Sequence, residues 1–206
     1  MAGEQSGPSY WDSQAPTFDE EPDHGLTDGA VRSAWISRLV GWLPDRVCRV
    51  ADLGCGTGSL SVLAAQLGHS VVGIDLSPAM VDQASAKAKR HGLNIRFSVG
   101  DASHPDLPVG EFDVVLVRHV IWALVSPPES ISRWASLLRR DGRLVAIEGL
   151  WKGGGISADA LTDVVEPLFH DVAVEHLSTD SALWGRPVHD QRYALIANRP
   201  RPIKYP

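Results

Sequence analysis

Short apolar, β-branched runs alternate with stretches whose apolar positions recur every three or four residues, from position 49 to the carboxyl end. The runs predict strands at 49–53, 70–74, 94–99, 112–118 and 143–148, and the periodic stretches between them predict helices at 59–67, 78–91 and 129–138. Pro78 suits the first turn of its helix, and Ser77 ahead of it supplies a cap. Strands that alternate with helices make βαβ units, so the chain reads as a doubly wound α/β domain around a sheet buried on both faces. After Gly153-Gly154-Gly155 the pattern changes, with a helix near 157–168 followed by apolar runs at 172–177 and 193–197. Ahead of the first strand, a helical pattern spans 28–43; Trp35 and Trp42, seven positions apart, have the spacing of core packing.

Composition narrows the class. A chain of 206 residues is long enough for one sizeable core and marginal for two. Its net charge of -6, with scattered basic residues, gives no footprint for nucleic acid. No apolar run approaches the roughly 20 residues that cross a bilayer, and Met-Ala-Gly-Glu-Gln-Ser at the start lacks the segments of a signal peptide. With two cysteines, Cys48 and Cys55, no disulfide framework is needed, and a cytoplasmic location is expected. No spacing such as His-Glu-x-x-His or paired Cys-x-x-Cys suggests a metal.

The chemistry concentrates in Val-Ala-Asp-Leu-Gly-Cys-Gly-Thr-Gly, residues 50–58, which joins a strand to a glycine turn and a helix start. Gly54, Gly56 and Gly58 let bare backbone approach a ligand and permit positive φ. The next strand ends in Asp75, 17 positions after Gly58, where a carboxylate can accept hydrogen bonds from a ribose diol. A dinucleotide fingerprint wants its third glycine three positions after the second; here the glycines alternate and Ser59 takes that place. Asp52 beside the turn would repel a pyrophosphate but attract an ammonium. Cys55, small and inside the turn, reads as packing rather than as a reactive thiol.

With these segments the chain resembles the class I S-adenosylmethionine-dependent methyltransferases over most of its length. Besides Asp52–Gly58 and Gly73–Ser77, the resemblance rests on Gly100-Asp101-Ala102, Phe112–His119 and Leu138–Val145, five motifs in family order. It implies a Rossmann-like, doubly wound, seven-stranded and mostly parallel sheet whose last two strands pair antiparallel. It implies S-adenosylmethionine as cofactor, with Gly54, Gly56 and Gly58 under its amino-acid tail, Asp52 near the ammonium and Asp75 on the ribose. Leu76 and Met80 would then flank the adenine, and Asp101 with Ala102 would meet its edge.

Residues 1–46 are expected to form amino-terminal lid helices over a methyltransferase domain at 47–206. The cluster Tyr10-Trp11-Asp12 and Phe18 to His24 supports a lid, while its Pro and Gly content also suits a polar arm. Arg32 either pairs with the methionine carboxylate or is a solvated helical arginine. Among eight histidines, His119 stands out because it lies just past the fourth strand, at the edge where open parallel sheets bind ligands. A general base there would be His119, with His24 and Tyr10 as partners; the alternative is a structural histidine. Trp122, Trp151 and Trp184 are the expected acceptor contacts. An aromatic wall suits a small, planar, electron-rich acceptor, such as an indole methylated at carbon; another small molecule methylated at oxygen or nitrogen and a non-catalytic cofactor-binding module are the alternatives. The sequence leaves the oligomeric state open, a homodimer included.

Overall fold

The computed structural model describes residues 7–202. Residues 1–6, read above for a signal segment and included in the expected lid, lie outside the described residues, as do 203–206.

Three helices precede the sheet: α1 (Pro8–Phe18), α2 (Pro22–Gly25) and α3 (Gly29–Trp42). The strands are β1 (Arg49–Leu53), β2 (Ser70–Asp75), β3 (Arg96–Val99), β4 (Phe112–Arg118), β5 (Leu138–Trp151), the two-residue β6 (Gly154–Gly155), β7 (Phe169–His176) and β8 (Gln191–Pro200). The helices between them are α4 (Ser59–Gln66), α5 (Pro78–Arg90), α6 (Pro127–Leu137), α7 (Ala158–Val165) and α8 (Ser181–Trp184), with a 3-10 turn at Ile121–Ala123. The sheet runs β3-β2-β1-β4-β5-β8-β7, parallel from β3 through β5 and antiparallel from β5 to β8 and β8 to β7; β6 pairs with the end of β5.

β4 shows why the sheet is central. Val115 and Val117 face one core with Trp134 and Leu161, while Val114 and Leu116 face the other with Trp35, Leu39 and Leu63. A strand covered on both faces needs an unbroken apolar run, as Val-Val-Leu-Val supplies. Trp35 and Trp134 are fully buried, and burial of one such ring contributes a few kcal/mol. Each indole N–H is also satisfied, Trp35 by the carbonyl of Leu183 and Trp134 by that of Ala102.

β5 differs from the expected strand by starting at Leu138. The polar segment Arg139-Arg140-Asp141-Gly142 reads as a turn, yet it is absorbed in a register shift, since Phe112 pairs with Leu138 and Val114 with Arg143. α3 also does more than cover a site, because Val31, Trp35, Leu39 and Trp42 belong to the core on one side of the sheet. α1 and α2 instead reach over the carboxyl ends of the parallel strands. Asp12 on α1 accepts from the Ser77 hydroxyl at 2.5 Å and the Ala79 amide at 3.2 Å, and Gln83 donates to the Ala15 carbonyl at 2.6 Å. Asp19, which ends α1, accepts from Thr57 at 2.5 Å and pairs with the buried Lys87 at 2.8 Å.

Candidate active site

β1, β2, β4 and β5 all end along one edge, and a cavity of about 630 Å³ opens there beneath α1 and α2. At one end lies the glycine turn. Gly54, Gly56 and Gly58 have φ of 71°, 54° and 77°, in the region that favours glycine. A Cβ on Gly54 would come within 2.4 Å of Val120, so the turn and the segment after β4 fit together only without a side chain. Asp75 accepts from the Gly56 amide at 2.7 Å and the Ser77 amide at 3.0 Å, which ties the acid to the turn. Each oxygen keeps a second acceptor direction, the requirement for holding a diol. Burial raises the Asp75 carboxyl above its usual range, opposed by those amides. Leu76, Met80, Asp101 and Ala102 line the same end, and the Trp134 bond to the Ala102 carbonyl at 2.7 Å fixes the last of them.

Asp52 faces a smaller cleft of about 40 Å³ beside the turn, with Cys55, Thr57 and Arg118. Its carboxylate accepts from Ser61 at 2.5 Å, and burial pushes it up to about 6. Burial also pushes the Cys55 thiol far up, so this cysteine carries no thiolate at neutral pH. Arg118 borders both spaces, donates to the Asp23 carbonyl and lies 5.2 Å from the Trp35 ring centre. Burial lowers its pKa, Asp23 and Asp52 oppose that, and a guanidinium stays charged.

The other end is aromatic. Trp11 and Phe18 from α1, Trp122 and Trp151 line it with His24 and His119. His119 adopts φ of 56°, its amide donates to the Ile147 carbonyl at 2.9 Å, and its own carbonyl accepts from the Trp122 indole at 2.9 Å. Its ring meets Trp151 edge-on at 5.2 Å, and His24 stacks on Phe18 at 4.3 Å. His119 Nε2 and His24 Nδ1 are buried without a partner among the described residues. Burial lowers both imidazoles, most strongly His119, helped by Arg118 and Arg192, so both rings are neutral at pH 7.

Three expected positions fall elsewhere. Arg32 is half-exposed on α3 and donates to Gln66, away from the cavity, because its turn of the helix faces α4 rather than the glycine loop. Tyr10 packs edge-on against Trp11 at 5.1 Å, and Trp11, one position on, takes the cavity face. Trp184 is buried behind the site, its ring parallel to His119 at 6.4 Å and its N–H donated to the Leu177 carbonyl. Trp11 belongs to the expected lid cluster, whereas Arg118, Arg192 and Glu148 are not among the expected site residues. Both Arg118 and Glu148 are nevertheless charged positions ending apolar strand runs, a signal that the burial of those strands makes costly.

Glu148 is fully buried, accepts from the Val120 and Ile121 amides at 2.8 and 2.7 Å through Oε1, and has no partner for Oε2 among the described residues. Burial pushes its carboxyl up to about 8 from an ordinary 4.5. A folded pKa above the unfolded one means that its stabilising contribution is complete below about 4.5 and is lost as pH rises through about 8. Between pH 5 and 8.5 this linkage costs on the order of a few kcal/mol, or roughly 5–10 °C in Tm for a domain of this size. Thermal melts of the Glu148→Gln protein should show that decline flattened; an identical slope in both proteins would place the titration elsewhere.

Among the described residues, no group of three or more His, Cys, Asp or Glu is placed to hold a metal ion, and no helix is long and apolar enough to cross a membrane. A family profile described as "Methyltransferase domain" matches residues 51–146. An aklanonic acid methyltransferase of Streptomyces sp. strain C5 is 32% identical over 133 residues, covering 63% of this chain and 60% of that protein. A nocamycin O-methyltransferase of Saccharothrix syringae is 33% identical over 147 residues, covering 66% and 52%. The chain thus spans between half and three fifths of the length of these two relatives. The crystal structure of a magnesium protoporphyrin IX methyltransferase from Synechocystis PCC 6803 with bound S-adenosylmethionine aligns at a TM-score of 0.66 with 26% identity, covering 86% of this chain and 80% of that one.

Proposed function

We propose that the chain is a class I S-adenosylmethionine-dependent methyltransferase, a reading supported by the methyltransferase profile and relatives, and that it binds S-adenosylmethionine between the glycine turn and Asp75 and methylates a small planar acceptor. The observation that carries this reading is the continuity of the cavity from the glycine turn to the aromatic end, which lets a cofactor and an acceptor share one chamber. The residues fit the cofactor. Gly54 holds a turn where a Cβ would collide with Val120, Asp75 offers acceptors to a diol, and Arg118 offers a charged guanidinium to a carboxylate. Arg118 takes the role that Arg32 is too distant to fill. Asp52 in the same cleft complements an ammonium.

Bound there, the cofactor supplies an electrophilic methyl group on a positively charged sulfur. The protein's part is to hold the acceptor in line and keep water out, for which α1 and the rings of Phe18, Trp122 and Trp151 are placed. An acceptor methylated there would be left with a proton to give up. His119, neutral with a free buried nitrogen, accepts that proton, and His24 offers a second neutral acceptor in the same space. An imidazole with so depressed a pKa is a weak base. It suits a proton made acidic by the reaction, as on a freshly methylated ring carbon, better than a resting phenol, which supports an indole-like acceptor methylated at carbon. Methylation at oxygen or nitrogen is the second reading, favoured by the O-methyltransferase relative.

Two measurements test the assignment. S-adenosylhomocysteine should raise the melting temperature while nicotinamide dinucleotides do not, and Arg118→Met should weaken that ligand by roughly 30–100-fold, since a paired buried cation is worth a few kcal/mol. Mass spectrometry of products from labelled cofactor with phenols, amines and indoles identifies the acceptor atom. Protection by neither ligand class in well-folded protein would end the proposal.

A further inference from the structure

Four hydrogen bonds pin the backbone where the chain leaves β4. The His119 amide and carbonyl are held by Ile147 and Trp122, and the next two amides, Val120 and Ile121, both donate to one oxygen of Glu148. At the centre of this turn His119 has φ of 56°, a left-handed conformation that its neighbours must hold in place. Glu148 itself is buried on β5, does not line the cavity, and faces Arg192 and Tyr193 from β8. Strand pairing alone does not require an acid there, and an uncompensated carboxyl in such a place is costly. The amides it satisfies belong to the segment that directs the His119 imidazole into the cavity.

We propose that Glu148 is a positioning residue, which clamps the Val120 and Ile121 amides so that His119 keeps its left-handed turn and presents its imidazole at the acceptor end of the cavity. The consequence for turnover rests on the reading of His119 as the proton acceptor; the clamp does not. At neutral pH the carboxyl is largely protonated, so Gln is a close substitute in both shape and charge. Asp keeps the carboxyl but is one methylene too short to reach both amides.

The test follows the His119 ring in the full-length protein by histidine-labelled NMR, with the resonance assigned by its loss in His119→Asn. The ring faces Arg118, Arg192 and His24, and in the native protein it should stay neutral well below pH 6.5. In Glu148→Gln the titration should match the native protein. In Glu148→Ala and Glu148→Asp it should move toward the ordinary histidine value by about one unit or more as the ring leaves its buried setting, and turnover of whichever acceptor is accepted should fall roughly tenfold or more with the cofactor KM little changed. If Glu148→Ala does not fold, Glu148→Asp decides. A native His119 titration in a folded Ala or Asp variant overturns the clamp, as does release of the ring in Glu148→Gln. A released ring with unchanged turnover would leave the clamp standing and remove His119 from the chemistry.

Discussion

Replacing Gly54 with Val is expected to raise the Kd for S-adenosylhomocysteine at least 100-fold while the protein remains folded. Two costs act together. Position 54 holds φ of 71°, which costs an L residue about 1–2 kcal/mol and a β-branched one more. The new Cβ would also sit 2.4 Å from the Val120 side chain, so the turn, the segment carrying His119 or both must move. Gly92→Ala separates these effects, since Gly92 has nearly the same φ, 67°, with nothing within 4 Å of the added atom. That variant should lose stability and keep its affinity. Calorimetry on both proteins is the measurement, and native affinity in Gly54→Val would show that the turn does not lie against the ligand.

Removing the imidazole of His119 should lower kcat by about 10²–10³-fold, the range for loss of a positioned general base, with cofactor affinity within about threefold of native. Asn is the informative replacement. It tolerates the left-handed conformation that His119 occupies at φ of 56°, whereas Ala would confound loss of the ring with relaxation of the turn. Rates measured with the acceptor found by product analysis should fall alike for both, and Asn should keep the native melting temperature. Native turnover in His119→Asn would take the ring out of the mechanism and leave water or His24 to receive the proton.

The cavity lies beneath α1 and α2 and is walled by aromatic side chains, and burial disfavours the charged forms of His119, His24 and Asp75 that line it. Burial keeps His119 and His24 neutral and pushes Asp52 and Glu148 upward, while Arg118 stays charged beside the glycine turn. Partial burial makes a single charge interaction with a ligand worth more there than it would be in water. The pair formed by Lys87 and Asp19 extends the same logic to the roof, tying the end of α1 to Thr57 in the glycine turn.

The alternation of apolar runs and helical periods was enough to determine the parallel half of the sheet, because a doubly covered strand must be apolar throughout and a crossover helix must bury one stripe. The glycine turn and Asp75 were legible for a similar local reason: close backbone approach and positive φ leave few choices of residue, and the two meet through the Gly56 amide at 2.7 Å. Side-chain direction was not legible at that level. Tyr10 and Trp11 differ by one position, and the fold alone turns Trp11 to the cavity; Arg32 points to Gln66 because of how α3 rolls against α4. Glu148 and Arg118 come from strands that neighbour each other only once β4 and β5 pair, so their roles depend on contacts across 30 positions, among them Arg118 opposite Ile147. Local sterics and hydrophobic period are written residue by residue, but which buried polar atom meets which is settled by packing between segments far apart in the chain.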